Sequence, residues 1–328
     1  MHEQDYESRH EFETAESGAG DERLSFPGNS QNMFPTMEQH HPERPQEKAA
    51  WLKFWGVRGS IPTPGPGTVR YGGNTSCVEL RAGGEHIIFD AGSGIRPLGL
   101  SLLAEKRDLD LTLLLTHTHW DHIQGFPFFV PAYQARHRIH VLGYEGSLHN
   151  LQTTLAGQME NPYFPVSLAQ MPGNIIIEEV NKSLFNVGPL SVRTCQTKHP
   201  GMTVGYRVET AGGAVCYVPD HESAPGETSA AVSDLIQGAE ILMLDSQYTA
   251  EEYPSKKGWG HGCLDDVVRV ARDAGVKRLF LFHHDPSHDD AFLDRMLAHA
   301  RTISGPEMVV DAAREGEVVE LAAVGARK

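Results

Sequence analysis

Short apolar runs separated by turn residues fill the chain from Trp51 onward, and they predict a fold rich in β-strands. Each run has the length and the flanking Gly, Pro, Asp or Asn residues that are typical of strands. Two of them, HIIFDAG and LTLLLT, are apolar enough for burial on both faces. The predicted strands are WLKFWGVRG, SCVELRA, HIIFDAG, LTLLLT, RIHVLG, NIIIEEV, LSVRTCQT, TVGYRVET, AVCYVPD, ILMLD, KRLFLF and EMVVDA.

Helical periodicity is found in IRPLGLSLLAEK, LDDVVRVARDAG and DDAFLDRMLAHARTI, and SDLIQG before ILMLD is typical of a helix end. The clearest helix places Leu264, Val267, Val268 and Ala271 on one face and has Gly275 in position for a C-terminal cap. A run of strands with a helix thus occurs twice. This order predicts an α+β fold, an αββα sandwich of two mixed β-sheets packed face to face with outer helices.

Residues 1–50 differ in composition from the rest of the 328-residue chain. They are rich in Glu, Ser, Gln, Gly and Pro, and up to Lys48 they contain eleven acidic and four basic residues. Such a segment cannot bury enough apolar surface to offset its ordering entropy. We expect residues 1–50 to form a disordered acidic tail and residues 51–328 to form one globular domain.

Composition also narrows the class of protein. The net charge of −15 disfavours a broad surface for nucleic acid, although metal ions in a pocket could still bind one phosphate. No apolar run approaches the roughly 18–20 residues that span a bilayer, and no secretory signal is visible, so we expect a cytoplasmic protein without a membrane partner. The four cysteines form no C-x-x-C pair and are expected to be reduced.

The segment LTLLLTHTHWDH, residues 111–122, is where candidate chemistry begins. A buried strand delivers its last residues to the rim of a sheet, where side chains leave the core. His117, His119, Asp121 and His122 follow this strand within six positions. Imidazole and carboxylate groups in this density suit Zn²⁺, Mn²⁺ or Fe²⁺. The pattern therefore predicts a site for one or two divalent metal ions.

The spacing H-x-H-x-D-H resembles the signature of the metallo-β-lactamase fold superfamily, and the resemblance extends from about residue 51 to 322. It includes the turn at Asp90, a histidine after a later strand, an aspartate that ends a strand, and a histidine that ends the last apolar run. The resemblance implies two divalent metal ions, with Zn²⁺ as the first expectation. It implies His117, His119 and His199 as ligands of one ion, Asp121, His122 and His283 as ligands of the other, and Asp220 as the bridge. His284 is the alternative to His283.

A second resemblance narrows the branch. The segment GWGHGCLDDVVRVARDAGVKRLFLFHH is similar to that of ribonuclease Z and small phosphodiesterases, in which a histidine precedes the last helix and strand. Here that residue is His261, followed by Gly262 and Cys263 where the family often has Ser and Thr. The resemblance implies that His261 assists cleavage of a phosphate ester, by donating a proton or by binding phosphate.

Together these resemblances imply a binuclear metal-dependent phosphodiesterase that acts on a small phosphodiester, such as a cyclic nucleotide, through a metal-bridging hydroxide. Asp121 and His261 are the expected catalytic residues, with Asp220 as an alternative for orienting the nucleophile. A homodimer is common in the superfamily, but no interface signature is visible in the sequence.

Three alternatives remain open. A ribonuclease Z-like RNA endonuclease would usually have a protruding basic arm, and the roughly 40 residues between Asp220 and His261 are not basic. The same site could also hydrolyse a lactone, a thioester or a β-lactam, since the fold supports many chemistries. A metal-binding sensor without turnover is disfavoured because the full set of ligands is intact.

Overall fold

The computed structural model of the protein describes residues 50–144, 150–227 and 229–322. The predicted acidic tail lies outside the described residues except for Ala50, which begins the first strand. The disorder of the tail and the boundary of the domain therefore stay predictions. Within the described ranges, the four cysteines are free, as expected. No helix in these ranges has both the length and the apolar character needed to cross a bilayer.

Fourteen strands form the framework of the described part. They are β1 (Ala50–Gly56), β2 (Cys77–Ala82), β3 (Glu85–Phe89), β4 (Asp110–Leu114), β5 (Arg138–Tyr144), β6 (Asn174–Val180), β7 (Leu184–Val187), β8 (Leu190–Gln196), β9 (Val204–Thr210), β10 (Gly213–Val218), β11 (Ile241–Asp245), β12 (Arg278–Phe282), β13 (Val309–Ala312) and β14 (Val318–Leu321). Every strand predicted from the sequence is present.

Six α-helices connect these strands. They are α1 (Ile95–Ala104), α2 (Trp120–Ile123), α3 (Leu151–Gly157), α4 (Ala230–Ile236), α5 (Leu264–Asp273) and α6 (Asp290–Ile303). Short 3-10 helices lie at Phe126–Phe128, Val130–Tyr133, Leu168–Gln170 and Tyr253–Ser255. In α5 the four predicted apolar positions are all buried, and Gly275 adopts a positive φ after the helix end, which confirms the expected cap.

The strands form two mixed sheets of seven strands each, which confirms the predicted architecture. The first has the order β14-β1-β2-β3-β4-β5-β6, antiparallel up to β3 and parallel from β3 to β6. The second has the order β13-β12-β11-β10-β9-β8-β7, parallel from β13 to β10 and antiparallel beyond.

Apolar side chains divide among three layers. The layer between the sheets includes Phe54 of β1, whose ring centroid lies 5.0 Å from that of Phe280 in β12. A second contact across the same layer joins Phe89 of β3 to Tyr217 of β10, also at 5.0 Å. The other two layers bury the outer faces of the sheets, one beneath α4, α5 and α6 and one beneath α1 and α3. Helices therefore cover both outer faces, as the sequence predicted.

Four elements were not predicted: β7, β14, α2 and α3. Both β7 and β14 have only four residues and lie at sheet edges. Pairing with a long neighbour determines them, β8 for β7 and β1 for β14. Helix α2 has a single turn and coincides with the histidine cluster.

Candidate metal centre and active site

The candidate residues come together because the strands that carry them end at one edge of the two sheets. In the first sheet, β4 ends three residues before His117. In the second, β8, β10 and β12 end before His199, Asp220 and His283, and β11 ends at Asp245. The carboxyl ends of parallel strands meet at the same edge, which is where open α/β sheets place their ligands.

Three imidazoles form the outer half of the cluster. The Nε2 atom of His117 lies 2.8 Å from Nδ1 of His119, and Nε2 of His199 lies 3.1 Å from the same Nδ1. His117 is buried, whereas His119 is exposed and forms the open rim of the centre. One divalent ion with tetrahedral preference could take one nitrogen from each of these rings and keep a fourth position open.

The inner half consists of Asp121, His122 and His283, all buried. Nε2 of His283 lies 3.1 Å from Oδ2 of Asp121 and 3.3 Å from Nε2 of His122. The same Asp121 oxygen lies 3.3 Å from His122 Nε2 and accepts a hydrogen bond of 2.6 Å from the backbone N–H of Ser60. This half has the donor set for a second ion.

Asp220 lies between the two halves. Its Oδ2 is 3.0 Å from Nε2 of His122, and its Oδ1 is 3.6 Å from both Nε2 of His283 and Nδ1 of His199. Oδ2 is buried and receives no well-aligned hydrogen bond. Burial of a carboxylate oxygen without a donor is costly unless a cation compensates it. The residues therefore fit the implied metal ions, with Asp220 in the place of the bridging ligand.

A buried carboxylate fixes the orientation of His122. Oδ2 of Asp90 lies 2.7 Å from Nδ1 of His122 and accepts hydrogen bonds of 2.9 Å from the hydroxyls of Tyr217 and Thr116. With Nδ1 donating to this carboxylate, Nε2 of His122 faces the centre as a ligand nitrogen. Carboxylate–histidine–metal arrangements of this kind raise the basicity of the ligand.

Two further contacts orient the other ligands. Nδ1 of His199 donates to the carbonyl oxygen of Gly260 at 2.9 Å, and Nδ1 of His283 lies 3.0 Å from Oε1 of Gln247. In both cases Nε2 remains available to the centre. His283 itself has a positive φ of 61°. A non-glycine residue in this conformation is strained, and such strain is concentrated at functional sites.

At the centre, burial and the charges of neighbouring groups shift the pKa values of the ligand candidates in opposite directions. Burial would lower the pKa of His122, but the three carboxylates around it prevail and raise that pKa well above its ordinary value. Burial would raise the pKa of Asp121 and Asp220, but the neighbouring imidazoles hold both pKa values well below the ordinary range. At His117, burial lowers the pKa well below its usual value. Ionised carboxylates beside imidazoles suit cation binding, since a metal ion can take the place of a proton.

His261 lies beside the cluster and is held by a carboxylate that the sequence analysis did not single out. Its Nδ1 lies 2.8 Å from Oδ2 of Asp245 and 3.7 Å from Oδ1 of Asp220. Its ring stacks on His283, with a centroid distance of 5.0 Å and an angle of 23°. Burial would lower the pKa of His261, but the charge of Asp245 and the hydrogen bond to it raise the pKa to about 9.

Asp245 ends an apolar strand, ILMLD, and this position is the one signal in the sequence that could have pointed to it. Its Oδ1 accepts backbone N–H groups of Gln247 at 3.0 Å and Gly262 at 3.2 Å. With these donors and His261 around it, the carboxylate is fixed in place. Asp245 therefore orients His261 rather than facing the solvent.

The structure brings all eight predicted site residues into one cluster; they are His117, His119, Asp121, His122, His199, Asp220, His261 and His283. His284, the alternative to His283, lies elsewhere. Its Nε2 is 2.9 Å from the carbonyl oxygen of Ala313, and its ring packs edge-on against Tyr71. The geometry favours His283 as the ligand, and metal binding by the set stays a prediction.

Known proteins resemble this chain in sequence and in fold. The family model described as "Beta-lactamase superfamily domain" matches residues 85–284. The ribonuclease Z of Bradyrhizobium sp. (strain ORS 278) is 23% identical over 298 residues, which cover 77% of this chain and 94% of the relative.

Two solved structures have the same fold. One is the metallo-beta-lactamase fold protein YhfI from Bacillus subtilis, with a TM-score of 0.62 and 18% identity over 83% of this chain and 100% of that chain. The other is a diphosphatase from the PhnP family, with a TM-score of 0.60 and 17% identity over 84% of this chain and 98% of that chain. These likenesses confirm the predicted fold.

Proposed function

We propose, from the premise that this chain belongs to the beta-lactamase superfamily, that it is a phosphodiesterase acting on a small phosphodiester such as a cyclic nucleotide. Membership of this superfamily and the intact set of candidate ligands make the protein a metal-dependent hydrolase. Two divalent ions are proposed, with Zn²⁺ as the first candidate and Mn²⁺ or Fe²⁺ as alternatives, since imidazole and carboxylate ligands suit all three.

The observation that carries this proposal is the position of His261. Nδ1 of His261 is hydrogen-bonded to Asp245, and no described side chain forms a hydrogen bond with Nε2 of His261. The ring lies against His283 and His199, with centroid distances of 5.0 and 5.2 Å. A protonated imidazole at this place can donate a proton to a leaving alkoxide or steady a phosphate oxygen. Cleavage of a phosphodiester with an alkoxide leaving group is assisted by such a group, because the strongly basic leaving oxygen departs more easily as an alcohol.

Divalent ions bound at the centre would activate water and neutralise the charge that develops on the phosphate. The chain supplies the rest. Asp121, fixed by the N–H of Ser60, is placed to orient the attacking nucleophile, and Asp220 is placed between the two halves. His261 lies on the side of His199 and is placed for the leaving oxygen.

A ribonuclease Z-like activity is the second candidate, because the curated relative named above is a ribonuclease Z and is matched over 94% of its length. Two features of this chain disfavour it. Between Asp220 and His261 there are seven acidic and two basic residues. The described residues of that stretch form α4, the buried strand β11 and one 3-10 turn, and none of them forms a projecting basic arm.

A substrate panel tests the proposal. Purified protein with measured metal content is assayed with bis-p-nitrophenyl phosphate, cyclic AMP, precursor transfer RNA, a lactone and a chromogenic cephalosporin. We expect turnover of the first two. His119→Ala should abolish it without unfolding the protein, since His119 is exposed.

His299→Ala is the matched control, because His299 is an exposed histidine of α6 paired with Asp265. Full metal-dependent activity of His119→Ala would refute the assigned site. Processing of precursor transfer RNA without cleavage of cyclic AMP would favour the ribonuclease. Hydrolysis of only the lactone or the cephalosporin would refute both the phosphodiesterase and the ribonuclease hypotheses.

A further inference from the structure

The two exposed tryptophans of the chain both adjoin the candidate active site. Trp120 is 78% exposed and directly follows His119. Trp259 is 56% exposed and directly precedes Gly260, whose carbonyl oxygen accepts the hydrogen bond of His199. The other two tryptophans are less exposed and lie in β1. Nδ1 of His119 lies 3.1 Å from Nε2 of His199, so the two indoles belong to chain segments that meet at the outer half of the centre.

The segment that carries Trp259 is held in place from inside the protein. The buried carboxylate of Glu222 accepts the N–H groups of Gly258 at 3.0 Å and Gly260 at 3.2 Å, and the hydroxyl of Tyr253 at 2.6 Å. The peptide on each side of the indole is therefore anchored to one side chain. An aromatic surface that is exposed but fixed loses little entropy when a ligand stacks on it.

A positive charge lies on the same surface. Nζ of Lys256 is 4.2 Å from the ring centroid of Trp259 and 5.9 Å from that of Tyr248, whose ring packs edge-on against His261. No described carboxylate lies within ion-pair distance of Lys256. Lys198, also near the centre, is neutralised by Glu227. In a chain of net charge −15, a lysine that lies outside ion-pair distance of every described carboxylate favours an anionic ligand at this surface.

We propose that Trp120 and Trp259 form a stacking site for the nucleobase of the substrate, with Lys256 as the group that attracts its phosphate. The inference rests on the proposed phosphodiesterase function and narrows it to nucleotides. Aromatic side chains bind bases of any identity through their π-faces, so the site selects for a base without selecting which base.

Two p-nitrophenyl esters with the same leaving group test the substrate class. The p-nitrophenyl ester of thymidine 5′-monophosphate carries a base, and methyl p-nitrophenyl phosphate does not. The wild type should prefer the thymidine ester in kcat/KM. Trp259→Leu and Trp120→Leu should each reduce that preference about tenfold, within the range that base–aromatic stacking gives. An unchanged preference in both variants would overturn the inference.

Trp51→Leu is the matched control. It removes an indole that also lies beneath a cation, Arg81, but at the far end of β1 from the centre. It should keep the wild-type preference for the thymidine ester.

Binding is measured separately, so that failure of the proposed function can be recognised. AMP should quench the tryptophan fluorescence of the metal-loaded protein, and ribose 5-phosphate should not. Trp259→Leu should weaken AMP binding about tenfold. Lys256→Gln should also weaken AMP binding, and its effect should be smaller at high salt than at low salt. Quenching with this pattern but without turnover of either ester would refute the phosphodiesterase and support the nucleotide site. Equal binding of AMP and ribose 5-phosphate would refute the nucleotide site.

Discussion

Replacing Asp245 by asparagine should slow the hydrolysis of phosphodiesters in proportion to the need of the leaving group for a proton. Asp245 accepts hydrogen bonds on both of its oxygens, from His261 and the N–H of His221 on one and from the N–H groups of Gln247 and Gly262 on the other. An asparagine must direct its NH₂ group at one of these pairs of donors. Either Nδ1 of His261 loses its acceptor, or two backbone N–H groups do.

The size of the effect follows from this arrangement. If the NH₂ group faces His261, the imidazole takes the other tautomer, becomes neutral and can no longer act as the oriented acid. General acid catalysis contributes about 10²–10⁴ in rate, which corresponds to about 2.7–5.5 kcal/mol of activation free energy. If it faces the backbone instead, a buried donor without a partner costs about 1–3 kcal/mol of stability. The variant should therefore lose rate, stability or both.

The assay compares leaving groups. Nitrophenolate departs as a stable anion without a proton, whereas the 3′-oxygen of cyclic AMP needs one. Asp245→Asn and His261→Ala should each reduce kcat for cyclic AMP about 10²-fold or more and reduce kcat for bis-p-nitrophenyl phosphate far less. Asp234→Asn, a change in an exposed carboxylate of α4, is the control. Equal losses for both substrates, with unchanged metal content, would refute the role of His261 as a proton donor.

Three further predictions concern the metal ions, the loop anchor and the core. Removal of the metal ions by a chelator should abolish turnover and lower the Tm, because a bound ligand at 100 times its Kd stabilises the native state by about 2.7 kcal/mol. Addition of Zn²⁺ should restore both the turnover and the Tm. Glu222→Gln should raise the mobility of Trp259, seen as a loss of fluorescence anisotropy, and weaken metal affinity, because the same segment orients a ligand histidine. Phe54→Ala should cost about 3–5 kcal/mol in the free energy of unfolding by denaturant, because its fully buried ring joins the sheets through Phe280. Leu100→Ala, at a half-exposed position, should change that free energy by less than about 0.5 kcal/mol.

Residue chemistry by itself predicts the part of the site that is local in the chain, and the family resemblance predicts the rest. Four candidate ligands lie within six consecutive positions after one buried strand: His117, His119, Asp121 and His122. Their proximity can therefore be predicted without knowledge of the fold. His199, Asp220, His261 and His283 lie far along the chain, and only the resemblance to the metallo-β-lactamase fold superfamily assigns them to the site. The αββα architecture is predicted from the repeated order of strands and helices along the chain.

The sequence assigns no orienting role to the carboxylates that hold His261 and the candidate ligands in place. Asp245 acts on a histidine 16 positions away, and Asp90 acts on one 32 positions away. Glu222 anchors a loop 36–38 positions further on. Each of these contacts joins segments that lie far apart in the sequence but follow strands at the carboxyl edge of one sheet. A carboxylate after a strand can be a ligand, an anchor or a turn residue, and only the fold decides which.

The two halves of the centre differ in access, and this difference constrains how a substrate can bind. On the inner side, a Cβ at Gly59 would overlap the ring of His283, and the N–H of Ser60 is hydrogen-bonded to Asp121, so the backbone closes over this half. On the outer side His119 is exposed, and the exposed indole of Trp120 follows it. A phosphodiester must therefore approach from the His119 side. His261, the proposed proton donor, packs against His199 of the outer half. A variant that blocks access from the His119 side should therefore lose turnover even with all the candidate metal ligands intact.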